Sequence, residues 1–297
     1  MSFLSGLEKF GLDQLDTANL FEDDKKSRAE EIVEQKKREQ EKKEQASNRQ
    51  HTETEFLLSK TVRCPVCDQV FRTQMVKTGR VKRMEPDFDL RPRFEHIDTN
   101  KYDICSCPHC GYTAMHRYFP SLSPGKIKLL KENVQSKFSA GKPVDMEASL
   151  REYSYEEAIE YYKLGLYCSM VKKSPVSERA YACLKIAWLY RGWKEQMEST
   201  GVCEGESLSL AKEEEKEYYG QAYEGLQKAV ATELFPICGM DEDTINILLA
   251  SMAFQLEKYD VASKLVASVL VSKTAGTIAK NRARDIKEKI IMKLRQS

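Results

Sequence analysis

The sequence predicts a mainly α-helical chain that carries one small β segment of ribbon type. Three observations support this: two Cys-x-x-Cys pairs, "CPVC" at 64–67 and "CPHC" at 107–110; a lysine- and glutamate-rich stretch ahead of them; and apolar residues at helical spacing after Ser123. They divide the chain into residues 1–60, an apolar N-terminal peptide and a charged, partly helical or disordered spacer; residues 61–123, the cysteine-bearing segment with an insert; and residues 124–297, an antiparallel helical domain.

Composition bounds the function classes. Of the 297 residues 41% are hydrophobic and 31% charged, with a formal net charge of +1, which reads as a soluble and rather polar chain. No stretch approaches the roughly 18 apolar residues of a membrane helix, so no membrane partner is expected. The start, "MSFLSGLEKFGLDQLD", lacks the basic and apolar regions of a signal peptide. Nine cysteines, five of them between Cys64 and Cys110, suit a reducing compartment better than a disulfide framework, and the expected location is cytoplasmic. Residues 61–123 hold 10 Lys/Arg against 7 Asp/Glu. Four thiolates around one divalent ion would lower that +3 to about +1, so charge alone does not call for nucleic acid.

Taken in order, Phe3, Leu7 and Phe10 share one helical face, either as a frayed terminus or as a docking peptide. The spacer has too few apolar residues for a coiled-coil seam, and pairs such as Glu34 with Arg38 favour a solvated helix. Short strands are expected at 70–76 and 101–105, with a hairpin turn at Gly79 and a loop through "MEPDFDLRPRFEHIDTN". Ser123-Pro124 starts a helix in which Ile127, Leu130, Val134 and Phe138 share a face. Ser154 and Glu157 form a capping box, and Ser174-Pro175 opens a further helix containing Leu184 and Trp188. Helices follow near 208–234, 243–257, 260–271 and 276–295. Ala250, Tyr259 and Ala262 are spaced as in a tetratricopeptide helix pair, where small residues let two helices approach; an irregular bundle accounts for the other helices equally well.

The cysteine pairs are the strongest chemical signal. Each Cys-x-x-Cys turn supplies two soft ligands, and two such turns complete the tetrahedron zinc prefers, which makes Cys64, Cys67, Cys107 and Cys110 the ligands. Pro65 and Pro108 fix φ after the first ligand, and Asp68 and Gly111 stand where a left-handed residue is needed. Four thiolates leave no open position, so the zinc is read as structural; such binding is worth about 10–16 kcal/mol in small peptides. Cys105 reads as a strand residue facing the core and His109 as solvent-facing. The "HTE" at 51–53 superficially suggests a zinc deaminase, but proline follows the first Cys here rather than preceding the pair, and that reading is set aside.

"CPVCDQVFRTQMV", "DFD", "YDICSCPHCGYTAMHRYF" and "KIAWLYRGW" together resemble the bacterial family filed as domain of unknown function 2225, over residues 57–270. The resemblance implies a zinc-ribbon-like segment joined to a tetratricopeptide-like domain and implies no activity. The resemblance also implies an Arg pair before the turn of the last helix pair, where Phe254 and Gln255 stand here, which argues against an anion-binding role for that surface.

Three functions compete. The first is a non-enzymatic protein-interaction or scaffold module, with Tyr153, Tyr161, Tyr162, Tyr167, Tyr181, Tyr218 and Tyr219 forming either a groove or a core. The second is binding of single-stranded RNA or DNA by the insert, where Arg72, Lys77, Arg80, Lys82, Arg83, Arg91 and Arg93 alternate with Phe71, Phe88 and Phe94; Glu85, Asp87 and Asp89 oppose it. The third is an enzyme built on Asp87, Asp89, His96 and Asp98, without any phosphate loop or nucleophile motif beside them.

Overall fold

The chain reverses at each cysteine pair, so the β-prone segments on either side fold back on one another. In the computed structural model, which describes residues 51–139, 150–201 and 204–296, β1 (Leu57–Arg63) pairs antiparallel with β2 (Val70–Val76), from Leu57 opposite Val76 to Arg63 opposite Val70. β3 (Ile104–Ser106) pairs likewise with β4 (Thr113–Met115). The hairpin turn expected at Gly79 is therefore misplaced: Gly79 lies beyond β2, in a turn closed by the Arg80 N–H donating to the Lys77 carbonyl at 2.9 Å. The strand expected over 101–105 begins only at Ile104, because Thr99–Tyr102 form a 3-10 turn. Asp98 dictates that turn by accepting the Asn100 N–H at 3.0 Å. Residues 57–60, read with the spacer, supply the first half of β1. The apolar N-terminal peptide and the spacer through residue 50 lie outside the described residues.

Seven helices follow among the described residues: α1 (Pro124–Leu130, extended by a π turn over Lys131–Gln135), α2 (Tyr155–Val171), α3 (Val176–Ser199), α4 (Glu206–Thr232), α5 (Glu242–Gln255), α6 (Tyr259–Val271) and α7 (Thr277–Gln296). Pro124 occupies the first turn of α1. Ser154 caps α2 by accepting the Glu157 N–H at 3.1 Å, and Asp241 caps α5 through the Thr244 N–H at 2.8 Å. None of these helices is long and apolar enough to cross a membrane.

Residues Thr52–Ser297 form one compact unit. Its largest apolar core runs from α3 to α7 through Leu184, Trp188, Leu226, Leu248, Met252 and Ile286. α3 and α4 approach closely at Gly225, where a Cβ would fall 2.6 Å from that of Ala180. Ala250 and Ala262 are fully buried, and Tyr259 meets Phe254 edge-on at 5.7 Å. A second core joins the hairpins to α1 and α2 through Phe71, Tyr112, Phe119, Leu130 and Cys168. Most of the tyrosines serve these cores: Tyr162 and Tyr219 are buried, Tyr153, Tyr161, Tyr181 and Tyr218 pack against the clusters, and Tyr167 is exposed.

The insert between β2 and β3 is fastened to the helices by buried charge. Arg91, 1% exposed, donates to both Glu195 oxygens on α3 at 3.2 Å and to Asp98 at 3.1 Å. Arg93 clamps the same Glu195 at 2.7 Å and reaches Asp87 at 2.6 Å. Asp89 is fully buried, accepting from Trp188 at 3.1 Å and from Arg191 at 2.9 Å. On α3, Trp188, Arg191 and Glu195 share a face. Gly192 on that face leaves room for the arginine: a Cβ there would lie 2.7 Å from the Arg91 guanidinium and 2.5 Å from the Tyr155 ring. Burial disfavours the Glu195 carboxylate, but Arg93 and Arg91 outweigh it and hold its pKa below the ordinary value.

Two predictions follow from this packing. Gly192→Ala is expected to lower stability by about 1–3 kcal/mol through overpacking, measured as a fall in denaturation midpoint; an unchanged midpoint contradicts the contact. The second concerns His116, whose Nε2 is buried without a hydrogen-bond partner among the described residues. Burial lowers its pKa below 6.5, although Asp103 pulls the other way. The unfolded chain therefore takes up that proton first, so stability is full above pH 6.5 and declines as pH falls through that value. Denaturation midpoints of His116→Gln should lack this part of the decline, and identical pH profiles would count against it.

Candidate metal centre

Both knuckles are built by the same backbone bonds. In the first, the Asp68 N–H donates to the Cys64 carbonyl at 2.9 Å and the Cys64 N–H to the Gln69 carbonyl at 2.9 Å. In the second, the Gly111 N–H donates to the Cys107 carbonyl at 2.9 Å and the Cys107 N–H to the Tyr112 carbonyl at 2.8 Å. Closing these bonds puts the residue after the second cysteine in the left-handed region, with φ 63° at Asp68 and 73° at Gly111. The Val66 N–H points at the Cys64 sulfur from 3.4 Å.

This geometry brings the four sulfurs of Cys64, Cys67, Cys107 and Cys110 within 4.8 Å of one another, close enough to hold a metal ion. Cys64 lies 3.6 Å from Cys110, and Cys67 3.6 Å from Cys107. Cys64, Cys107 and Cys110 are buried and Cys67 half-buried. Four thiols this close cannot all ionise unaided. Hydrogen bonds from Cys107 and Cys110 stabilise the Cys64 thiolate and pull its pKa down to about 2. Cys110, donating to Cys107 and Cys64, is driven upward. Cys107 rises to about 12; its bond with Cys110 works against this, but Cys64 and burial outweigh it. A divalent cation at their centre removes the conflict, because it stabilises all four thiolates at once. Such a shell has no position left for water or substrate.

The other nearby groups stand apart from this shell. Cys105 is buried in β3, where desolvation lifts its thiol to about 12. Cys168 on α2 lies against the Gly111 carbonyl at 3.6 Å, and His109 is exposed between two of the cysteines. The Phe138 ring covers Gly111 so closely that a Cβ there would collide with it. Tyr112 stacks on Phe119 at 4.8 Å and donates to its carbonyl at 3.2 Å, tying the second knuckle to the chain leading into α1.

The remaining residues proposed from the sequence do not gather into a second centre. Asp87, Asp89 and Asp98 are held in the ion pairs of the insert, and His96 is exposed with φ 63°. Of the basic set, Arg91 and Arg93 are committed to Glu195, and Lys82 pairs with Glu95 at 2.7 Å. Arg72, Arg80 and Arg83 are exposed, whereas Phe71 is buried and Phe88 packs edge-on against Phe254 at 5.4 Å. Sequence reasoning missed Trp188, Arg191 and Glu195 as the receptors of the insert, and Glu53, which takes hydrogen bonds from Tyr102 at 2.5 Å and from the Asp98 N–H at 3.1 Å. The helical spacing of polar Arg191 and Glu195 beside Trp188 was the available signal.

Fold and site together define a mainly helical protein that carries paired cysteine hairpins with the means to bind a metal ion. The chain belongs to the bacterial family described as "Uncharacterized protein conserved in bacteria (DUF2225)", whose model matches residues 57–290. That match contains the 57–270 of the resemblance and extends into α7. No curated protein and no solved structure matches the chain significantly.

Serine at Cys64 or Cys107 is expected to abolish metal retention and unfold the hairpins, since breaking one of four ligands also releases buried thiols. Elemental analysis of the purified variants, with circular dichroism alongside, checks this. A variant that keeps both metal and fold would remove that cysteine from the ligand set.

Proposed function

We propose that Cys64, Cys67, Cys107 and Cys110 hold one structural zinc ion, and that the protein is a non-enzymatic interaction or scaffold module of the cytoplasm. Zinc is favoured because all-sulfur tetrahedra select soft ions and zinc fills such sites without redox chemistry. The closed shell supports a structural rather than catalytic ion. We read α5 and α6 as a tetratricopeptide-like pair, supported by the burial of Ala250 and Ala262 and by Tyr259 at their junction.

The observation that carries the interaction reading is α7. Ala283, Ile286 and Ile290 anchor it to the core. Leu294 continues the same stripe one turn further and is 58% exposed, and Met292 is 60% exposed on another side. Lys280, Arg282, Arg284, Lys287, Lys289, Lys293 and Arg295 against Asp285 and Glu288 give the helix a formal charge of +5. An apolar stripe set in positive charge suits an acidic protein surface with a complementary apolar ridge. The internal commitment of Arg91 and Arg93 weighs against nucleic acid as the partner of the insert.

The test is a photo-crosslinking residue at position 291 of the full chain in its own cells. A protein adduct that survives nuclease and disappears with Leu294→Glu is expected. Adducts to nucleic acid, lost when Arg80, Lys82 and Arg83 become alanine, would replace this reading with the second one.

A further inference from the structure

The four sulfurs that converge at the knuckles are not equally sheltered. Cys64 and Cys107 are fully buried and Cys110 is 1% exposed, all within the core that also holds Phe71, Tyr112 and Leu130. The Phe138 ring closes over the second knuckle at Gly111. Of the four, Cys67 alone is half-buried, and it only borders that core. Solvent therefore reaches the cluster through one sulfur, which lies 3.6 Å from Cys107 on the other hairpin.

Three conditions make a cysteine redox-responsive: thiolate character, access to the oxidant, and a second cysteine near enough to resolve the first oxidation product. Cys67 meets the last two by its position. Thiolate character comes from a bound divalent ion, so the inference rests on the structural-zinc reading of Cys64, Cys67, Cys107 and Cys110. Two further thiols of the same core lie outside the four-sulfur cluster. Cys105 is 1% exposed in β3, and Cys168 faces the Gly111 carbonyl.

We propose that the cysteine centre is also a peroxide-sensitive switch, in which Cys67 is oxidised first and Cys107 resolves it, so that a disulfide between the two hairpins takes over from the metal ion. The Cys67 thiolate attacks the O–O bond of a peroxide, gains one oxygen as a sulfenic acid, and hydroxide leaves. The Cys107 thiolate then attacks the Cys67 sulfur, the S–S bond forms, and a second hydroxide leaves. The two sulfurs lose two electrons and the peroxide gains them. Only Cys64 and Cys110 remain as ligands, too few to retain the ion, and both take up protons as it departs.

The pairing decides the consequence. A disulfide within either Cys-x-x-Cys turn would leave the hairpins joined by their shared apolar surface alone. The crosswise bond spans 40 positions and keeps the base of the insert tied once the metal has gone. Oxidation then changes the joint between the hairpins, from four ligands around one point to a single covalent bond, and leaves the helices in place.

The full-length protein is first assayed for zinc as purified; absence of zinc there overturns the zinc reading and this inference with it. Zinc-loaded protein is then treated with hydrogen peroxide beside a chelating dye. Free thiols are blocked with N-ethylmaleimide, and disulfides are located by peptide mapping without reduction. One zinc released per disulfide formed is expected, with Cys67 linked to Cys107 first. The helical circular dichroism signal should be unchanged, and zinc should rebind after dithiothreitol. Cys105→Ala should release zinc at the rate of the parent chain. Three results would leave the zinc reading standing and overturn the switch: zinc retained at peroxide concentrations that oxidise free cysteine, a first disulfide within one Cys-x-x-Cys turn, or a first disulfide to Cys105.

Discussion

The convergence of four sulfurs is the constraint from which the rest of the N-terminal half follows. A hairpin of two strands is marginal in water, and one of these two has strands of only three residues. Joined at the cysteines, the hairpins present Phe71, Tyr112 and Phe119 as one apolar surface, and α1 and α2 complete it. Gly165 of α2 packs closely on the second hairpin: a Cβ there would lie 3.1 Å from the Ile104 side chain and 3.5 Å from that of Thr113. The insert leaves from β2 and returns at β3, so both its ends are fixed by the same centre.

With its ends fixed, the insert still needs something to lay its middle down, and that role falls to charge. Asp87, Asp89, Arg91 and Arg93 lie on a tight turn, closed by the Leu90 N–H donating to the Asp87 carbonyl at 2.9 Å and the Asp87 N–H to the Arg91 carbonyl at 3.0 Å, and each finds an opposite partner on α3 or within the loop. Buried ion pairs of this kind add little net stability, because desolvation offsets most of the attraction. They are unforgiving of displacement, however. Moving the loop by one residue along α3 would bury charges without partners. Apolar contacts such as Phe88 on Phe254 would tolerate such a slip far better.

Local chemistry determined what could be read from the sequence. The cysteine pairs, the left-handed positions at Asp68 and Gly111, and the helix starts at Pro124 and Ser154 involve neighbours within four residues, and they were legible. The helical spans after Ser174 were legible for the same reason, to within about two residues at each end. Strand pairing was not. The sequence placed a turn at Gly79 because glycine favours turns, whereas the chain had already reversed at Cys64–Gln69. The alternating charges of the insert looked like a nucleic-acid surface or a catalytic loop, since their partners on α3 lie about a hundred residues away. The tyrosines read more readily as core than as groove, and burial assigns most of them to the core.

The order of the chain has a consequence for how the protein is made. All four cysteines precede residue 111, so both hairpins have been synthesised before any of the seven helices exists. Glu195 follows Arg91 by 104 positions, so at synthesis rates of about 5–20 residues per second the ribosome needs several seconds to deliver it. During that interval Asp89, Arg91 and Arg93 have no helix to dock on. A loop already tied at its base by the two knuckles waits in a restricted volume, and α3 on emerging meets its partners close at hand rather than searching a free chain for them.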